Sequence, residues 1–146
     1  MSLDLKAIRT ALAAQLTANI DRATNVYAYE VDSPSYPYVI VKPAAGDYVG
    51  YFGSFGPNGV ADVMFELEIA TIAGDPISMG IAMDAYLSSG STFGSSVVDA
   101  VHTDRTLGGT VADCVALTAR VEPLGDFPLI ATVPVMVRVN KSGATV

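Results

Sequence analysis

Twelve residues from Val60 to Thr71, VADVMFELEIAT, alternate in character one by one. Val63, Phe65, Leu67, Ile69 and Thr71 fall on one side of an extended chain, and Asp62, Met64, Glu66 and Glu68 on the other. Period-two alternation with a β-branched and aromatic row marks a strand that has one face in a core and one face wet. At ~3.3 Å per residue the run reaches roughly 40 Å, about twice an ordinary strand. A strand of that length is expected to project beyond its own sheet and to meet a partner there.

The rest of the chain has to supply a sheet and a cover for the apolar row. With 146 residues, it suits a single domain over residues 1–146, able to bury about two-thirds of its unfolded surface. Half the residues are hydrophobic and 16% are charged, a globular composition. The net charge of −7 and pI near 4.4 argue against a direct grip on nucleic acid, which needs lysine and arginine against phosphates. They leave room for a surface that nucleic acid slides past. Asp4, Lys6 and Arg9 interrupt any signal-peptide core, and no apolar run approaches the ~20 residues of a membrane span. The expectation is therefore a soluble protein made in a cytoplasm. A mean hydropathy of +0.42 is high for a small monomer and points to apolar surface covered by other subunits.

Taken in order, Ser2 can cap a first helix with Asp4 in its first turn, and Leu5, Ile8, Leu12, Leu16 and Ile20 make one apolar stripe over about residues 3–20. Residues 25–31 and 38–41 read as strands around the proline-bearing loop DSPSYP. Residues 44–59, AAGDYVGYFGSFGPNG, place a glycine at 50, 53, 56 and 59 with Tyr51, Phe52 and Phe55 between them and Tyr48 just before. We expect a projecting arm: Tyr48 to Phe52 pair back on the start of the long strand and turn at Pro57-Asn58-Gly59. Its aromatics suit contact with a neighbouring subunit. Asp75-Pro76 starts a second helix that runs to about Ser88 and ends at Gly90. Met79, Met83, Tyr86 and Leu87 occupy one face of it and Ile77 and Ile81 another, so the helix should be buried on two sides, by the sheet and by a neighbouring chain. A short helix follows near Ser95 to Val101. Residues 110–122 read as one strand with Val111, Val115, Leu117, Ala119 and Val121 as its apolar positions, and 129–139 as the last, with Leu129, Ala131, Val133, Val135, Val137 and Val139 inward and Pro134 marking an edge or a bulge. The order predicts an α+β fold: a mostly antiparallel sheet of about five strands with helices on one face.

Chemistry is sparse. A single histidine, His102, cannot assemble a zinc site or an iron triad within one chain. Cys114 on a strand reads as packing rather than as a nucleophile for His102. GYFGSFG has the wrong spacing for a dinucleotide loop, and no GxSxG elbow occurs. No catalytic residue, metal or cofactor is expected. Asp62, Glu66 and Glu68 form the one carboxylate cluster; it reads as a solvated or assembly-facing acidic patch, with paired-carboxylate chemistry or cation binding at Glu66 and Glu68 as the alternative.

Six segments in order, SLDLKAIRTALAAQL, SPSYPYVIVKP, FELEIAT, DAYLSSGS, TLGGTVADC and the closing valine strand, together resemble the tail terminator proteins of long-tailed phages, especially those infecting actinobacteria. The resemblance is one of pattern over nearly the whole chain. It implies a structural virion protein, made in the host cytoplasm, that forms a ring at the head-proximal end of the tail tube. Such rings are commonly hexamers; they end tube growth, meet the head connector and let DNA pass. It further implies that Asp62, Glu66 and Glu68 face the lumen, where like charge hinders sticking of DNA. Tyr48, Tyr51, Phe52 and Phe55 would then contact a neighbouring subunit or the tube. The alternatives are a head-completion or connector protein, and a small enzyme or ligand-binding domain using the Glu66/Glu68 face.

Overall fold

The computed structural model describes residues 3–20, 24–52, 60–71, 75–89, 96–122 and 129–140. They form one mixed α+β domain, a seven-stranded sheet with three helices on one face. Its spine is a pair of long strands, β4 (Val60–Thr71) and β7 (Leu129–Asn140), antiparallel over all twelve residues from Val60 opposite Asn140 to Thr71 opposite Leu129. The long strand therefore does not project beyond its sheet, because a valine-rich strand of equal length satisfies its backbone from end to end.

Two strands succeed one another along each flank of this pair. On the β4 side, β2 (Tyr38–Pro43) pairs with residues 65–70 and β3 (Val49–Phe52) with residues 60–63, both antiparallel. β1 (Asn25–Tyr27) lies outside β2 and runs parallel to it, shorter than the strand expected from 25 to 31. On the β7 side, the single strand expected over 110–122 is two: β5 (Asp113–Ala116) and β6 (Arg120–Glu122). Ala116 stands opposite Val135 and Arg120 opposite Thr132, so the outer chain carries one extra residue at the break. Pro134 sits at that break. Its carbonyl accepts from the Leu117 amide at 2.7 Å, on the side where the ladder is interrupted. The bulge expectation holds and the edge expectation does not: an internal strand tolerates the missing N–H because no regular partner asks for it.

The inner rows of β4 and β7 are the core. Val63, Phe65, Leu67, Ile69, Val133, Val135, Val137 and Val139 are buried, each worth roughly 1.5–3 kcal/mol if fully removed from water. Cys114, not Val115, is the inward residue of β5, opposite Val137; Leu117 and Val121 are exposed. The apolar count favoured the odd-numbered row, and a small thiol took the buried position instead.

Helix α1 (Leu5–Asn19) covers this row with Ile8, Leu12, Ala13 and Leu16. Its cap is Asp4, whose carboxylate accepts from the Ala7 amide at 3.0 Å; Ser2 lies outside the described residues. Helix α2 (Pro76–Leu87) starts as expected, with Asp75 accepting from the Ser78 amide and Pro76 in the first turn. Helix α3 (Val97–His102) is capped by Ser96 and tied to α1 by Gln15, whose amide donates to the carbonyls of Ala100 and Val101. Arg9 is buried without a carboxylate partner among the described residues. Its guanidinium lies over the Tyr29 ring at 4.3 Å and donates to the Tyr48 hydroxyl and the Ala28 carbonyl, fastening two loops to α1.

Candidate functional site: the open face of the sheet

With α1, α2 and α3 on one side, the even-numbered residues of β4 and β7 are left on a face that none of the described helices covers. Asp62, Met64, Glu66, Glu68, Thr132, Pro134 and Met136 are half-buried and Arg138 is exposed. Register sorts them into rows running across the strands. One row reads Gly50, Asp62, Arg138, Asp113, on β3, β4, β7 and β5. Arg138 grips Asp62 through two nitrogens at 2.7 and 2.8 Å, and Arg105 does the same to Asp113 at 2.7 Å. The Arg105 hydrogen bonds hold the Asp113 carboxyl below its usual range, against the opposing effect of its partial burial.

The next row is apolar: Met64, Met136 and Val115. A depression of about 460 Å³ opens here, lined by Asp47, Val49, Gly50, Asp62, Met64 and Met136. It forms where the partner of β4 changes from β2 to β3. The intervening residues leave the sheet through Gly46 at φ +86°, a left-handed turn that suits glycine.

Further along stands Glu68, in the row Tyr27, Ile40, Glu68, Thr132, Arg120. Both its oxygens are taken. The Tyr38 hydroxyl donates at 3.0 Å and the Lys42 ammonium at 3.2 Å, and Lys42 also reaches Glu30 at 3.4 Å. Burial, then the hydrogen bond to Glu68, raises the Tyr38 pKa well above its ordinary value. Burial opposes the charge on Lys42, and its contacts with Glu68 and then Glu30 outweigh it, so its pKa lies above normal. Below this network, Tyr38, Ile40 and Ala70 make a small second core flanked by Tyr27 and Ile130. The β1–β2 loop leans on it, with the Tyr36 ring 5.2 Å from that of Tyr38.

The three carboxylates picked out from the sequence thus share a face but not a role. Asp62 is neutralised by Arg138 and Glu68 by Lys42 with Tyr38; Glu66 alone makes no side-chain hydrogen bond or ion pair with a described residue. The face is charge-paired rather than uniformly acidic. Neither Glu66 nor Glu68 lines the depression. The partners that sequence reasoning missed are Arg138 and Lys42, on strands distant in the chain; only their strand parity hinted at the pairing.

The aromatic arm is partly visible. β3 pairs back on β4 from Val49 to Phe52. Tyr48 turns inward, its ring edge-on to Phe65 at 5.6 Å and its hydroxyl accepting from Arg9, and it packs half-buried against its own core. Phe55, the turn at 57–59 and the side chains of Tyr51 and Phe52 lie outside the described residues, as does Gly90.

His102 and Cys114 do not form a reactive pair. The Ala116 amide donates to the His102 Nε2 at 3.1 Å, and Cys114 is sealed in the core, its thiol pushed up to about 12 by burial and then by the Asp113 charge. Among the described residues no cluster of three histidine, cysteine, aspartate or glutamate side chains is placed to hold a metal, and no helix is long and apolar enough to cross a membrane. On α2, Met79, Met83 and Tyr86 are buried while Ile77 is 74% and Ile81 64% exposed. No protein-family model and no curated protein matches this chain.

Proposed function

We propose that this chain is a structural subunit of a phage virion, assembling as a ring, commonly of six copies in the group it resembles, at the head-proximal end of the tail tube. There it ends tube growth and joins the tail to the head connector. The observation that carries this reading is the ordered resemblance of six segments along nearly the whole chain. Two structural features support a subunit role. A helix that buries one side and exposes two isoleucines on the other has the surface of a protein–protein contact. A broad sheet face whose described charges are mostly paired suits a lumen wall, because Arg138 and Lys42 are held by carboxylates rather than offered to passing phosphates.

In this reading the open face lines the lumen, with Glu66 its uncompensated carboxylate. The test is Glu66→Lys, since reversal at Glu68 would also dismantle the Tyr38 and Lys42 network. Rings of Glu66→Lys should form normally, by light scattering and negative-stain imaging, while DNA passage or infectivity falls. Normal infectivity would remove Glu66 from the lumen. The ring itself is tested on the unmodified chain: a mass near six times 15.2 kDa, or a cap at one end of purified tail tubes, is expected. A monomer that also ignores tubes would overturn the reading. The depression at Met64 and Met136 favours a second reading, a domain that binds a small apolar ligand there.

A further inference from the structure

Among the described residues, the exposed large apolar side chains outside α2 fall on opposite edges of the sheet. Tyr29, Val31 and Tyr36 belong to the loop that follows β1, at one edge. Leu117 and Val121 flank the break between β5 and β6, at the other; residues 117–121 are exposed throughout. One charge of opposite sign stands on each edge: Asp32 in the β1 loop, where Glu30 is already held by Lys42, and Arg120 on β6, two residues before Glu122. Neither Asp32 nor Arg120 makes an ion pair with a described residue.

Their positions are related. Tyr27 and Arg120 close the two ends of a single row across five strands, roughly 19 Å apart at the usual strand spacing. From that row, residues 28 onward and residues 119 back to 117 start toward the same end of the sheet. The two edges are therefore complementary, level with each other and unable to meet within one chain.

We propose that they meet between copies: the β1–β2 loop of one subunit docks on residues 117–121 of the next, with Tyr29 and Val31 against Leu117 and Val121 and Asp32 facing Arg120. Unlike edges joined in this way make a head-to-tail contact. Because the edges are level, each copy is displaced sideways with little rise along the strands, the condition under which such a contact closes into a ring rather than climbing as a helix. The inference rests on the ring reading and supplies its interface.

The test uses two single-cysteine additions at exposed positions, Asp32→Cys and Arg120→Cys, with Cys114 sealed in the core. On mild oxidation a mixture of the two should give a disulfide-linked dimer that neither gives alone, and the doubly substituted chain should give a ladder ending in a closed species. Arg120→Glu should weaken assembly by about tenfold or more, and adding Asp32→Arg should restore it. Rings of the unmodified chain that persist in Arg120→Glu, with no cross-link in the mixture, would overturn this interface and leave the ring standing. An unmodified chain that stays monomeric, alone and with tail tubes, and does not cross-link would overturn both. A cross-link in Asp32→Cys alone would show like edges pairing and would also overturn the interface.

Discussion

The same two strands present two unlike faces. Toward the helices, β4 and β7 show a nearly continuous apolar field of valine, leucine, isoleucine, phenylalanine and alanine, covered by α1, α2 and α3. Toward the other side they show an aspartate, glutamates, methionines and an arginine, half-buried or exposed, joined by ion pairs that cross the strands. The first face is held by a non-directional force proportional to area, so any well-packed apolar set serves it. The second depends on specific partners in specific register, and a partner lost there leaves a charge behind. The helix face sets whether the chain folds, and the open face sets what the folded chain can meet.

Truncating the same strand on each side separates the two faces most widely. Phe65→Ala should cost about 3–5 kcal/mol, since the ring is fully buried and also holds Tyr48 and Arg9 in place. Met64→Ala, one residue away on the open face, should cost only about 1 kcal/mol, in proportion to its partial burial. Urea unfolding of the two variants measures both. Equal losses would mean that the open face is as much core as the other.

An intermediate effect is expected at Tyr38, the one place where the open face has a core of its own. Tyr38→Phe removes a hydrogen bond to a charged acceptor and should cost roughly 1–2 kcal/mol at neutral pH. The pH dependence carries more information. Because folding raises the Tyr38 pKa, the folded state holds that proton longer than the unfolded chain does. The resulting stability is fully present below the unfolded pKa near 10.0 and is lost as pH rises through and beyond it. The unmodified chain should therefore lose stability between neutral pH and about pH 11 more steeply than Tyr38→Phe. Parallel losses would remove Tyr38 from the network.

How much of this was legible follows from the same contrast. The helix face was written in the sequence as parity: the inward rows of β4 and β7, the α1 stripe and the Asp75-Pro76 start of α2 all stand where periodicity put them. It failed at residues 110–122, because a bulge of one residue exchanges the faces and an apolar count cannot see it. It also failed to see that β7 would match β4 in length and leave nothing projecting. On the open face the residue types were legible and their pairing was not. Asp62 and Arg138 are 76 positions apart, and only the β4–β7 register makes them opposite neighbours. An acidic cluster read along one strand became a set of ion pairs once a second strand lay beside it. Tyr48 shows the same limit, since its inward turn depends on an arginine 39 positions earlier.

The smallest effect belongs to the Asp62–Arg138 pair. The geometry is bidentate, which favours it, but the Arg138 side chain is about half exposed and the pair stands in screened solvent. Asp62→Asn should therefore cost only about 0.2–1 kcal/mol, a loss that shrinks as salt is raised. Its other consequence is electrostatic: Arg138 would be left next to Asp113, which Arg105 already occupies, and the open face would gain an uncompensated cation. If that face is a wall past which DNA slides, Asp62→Asn should raise non-specific DNA retention at low salt, by filter binding, far more than it lowers stability. A variant that loses several kcal/mol yet gains no DNA retention would assign Asp62 to the fold and take it out of the lumen.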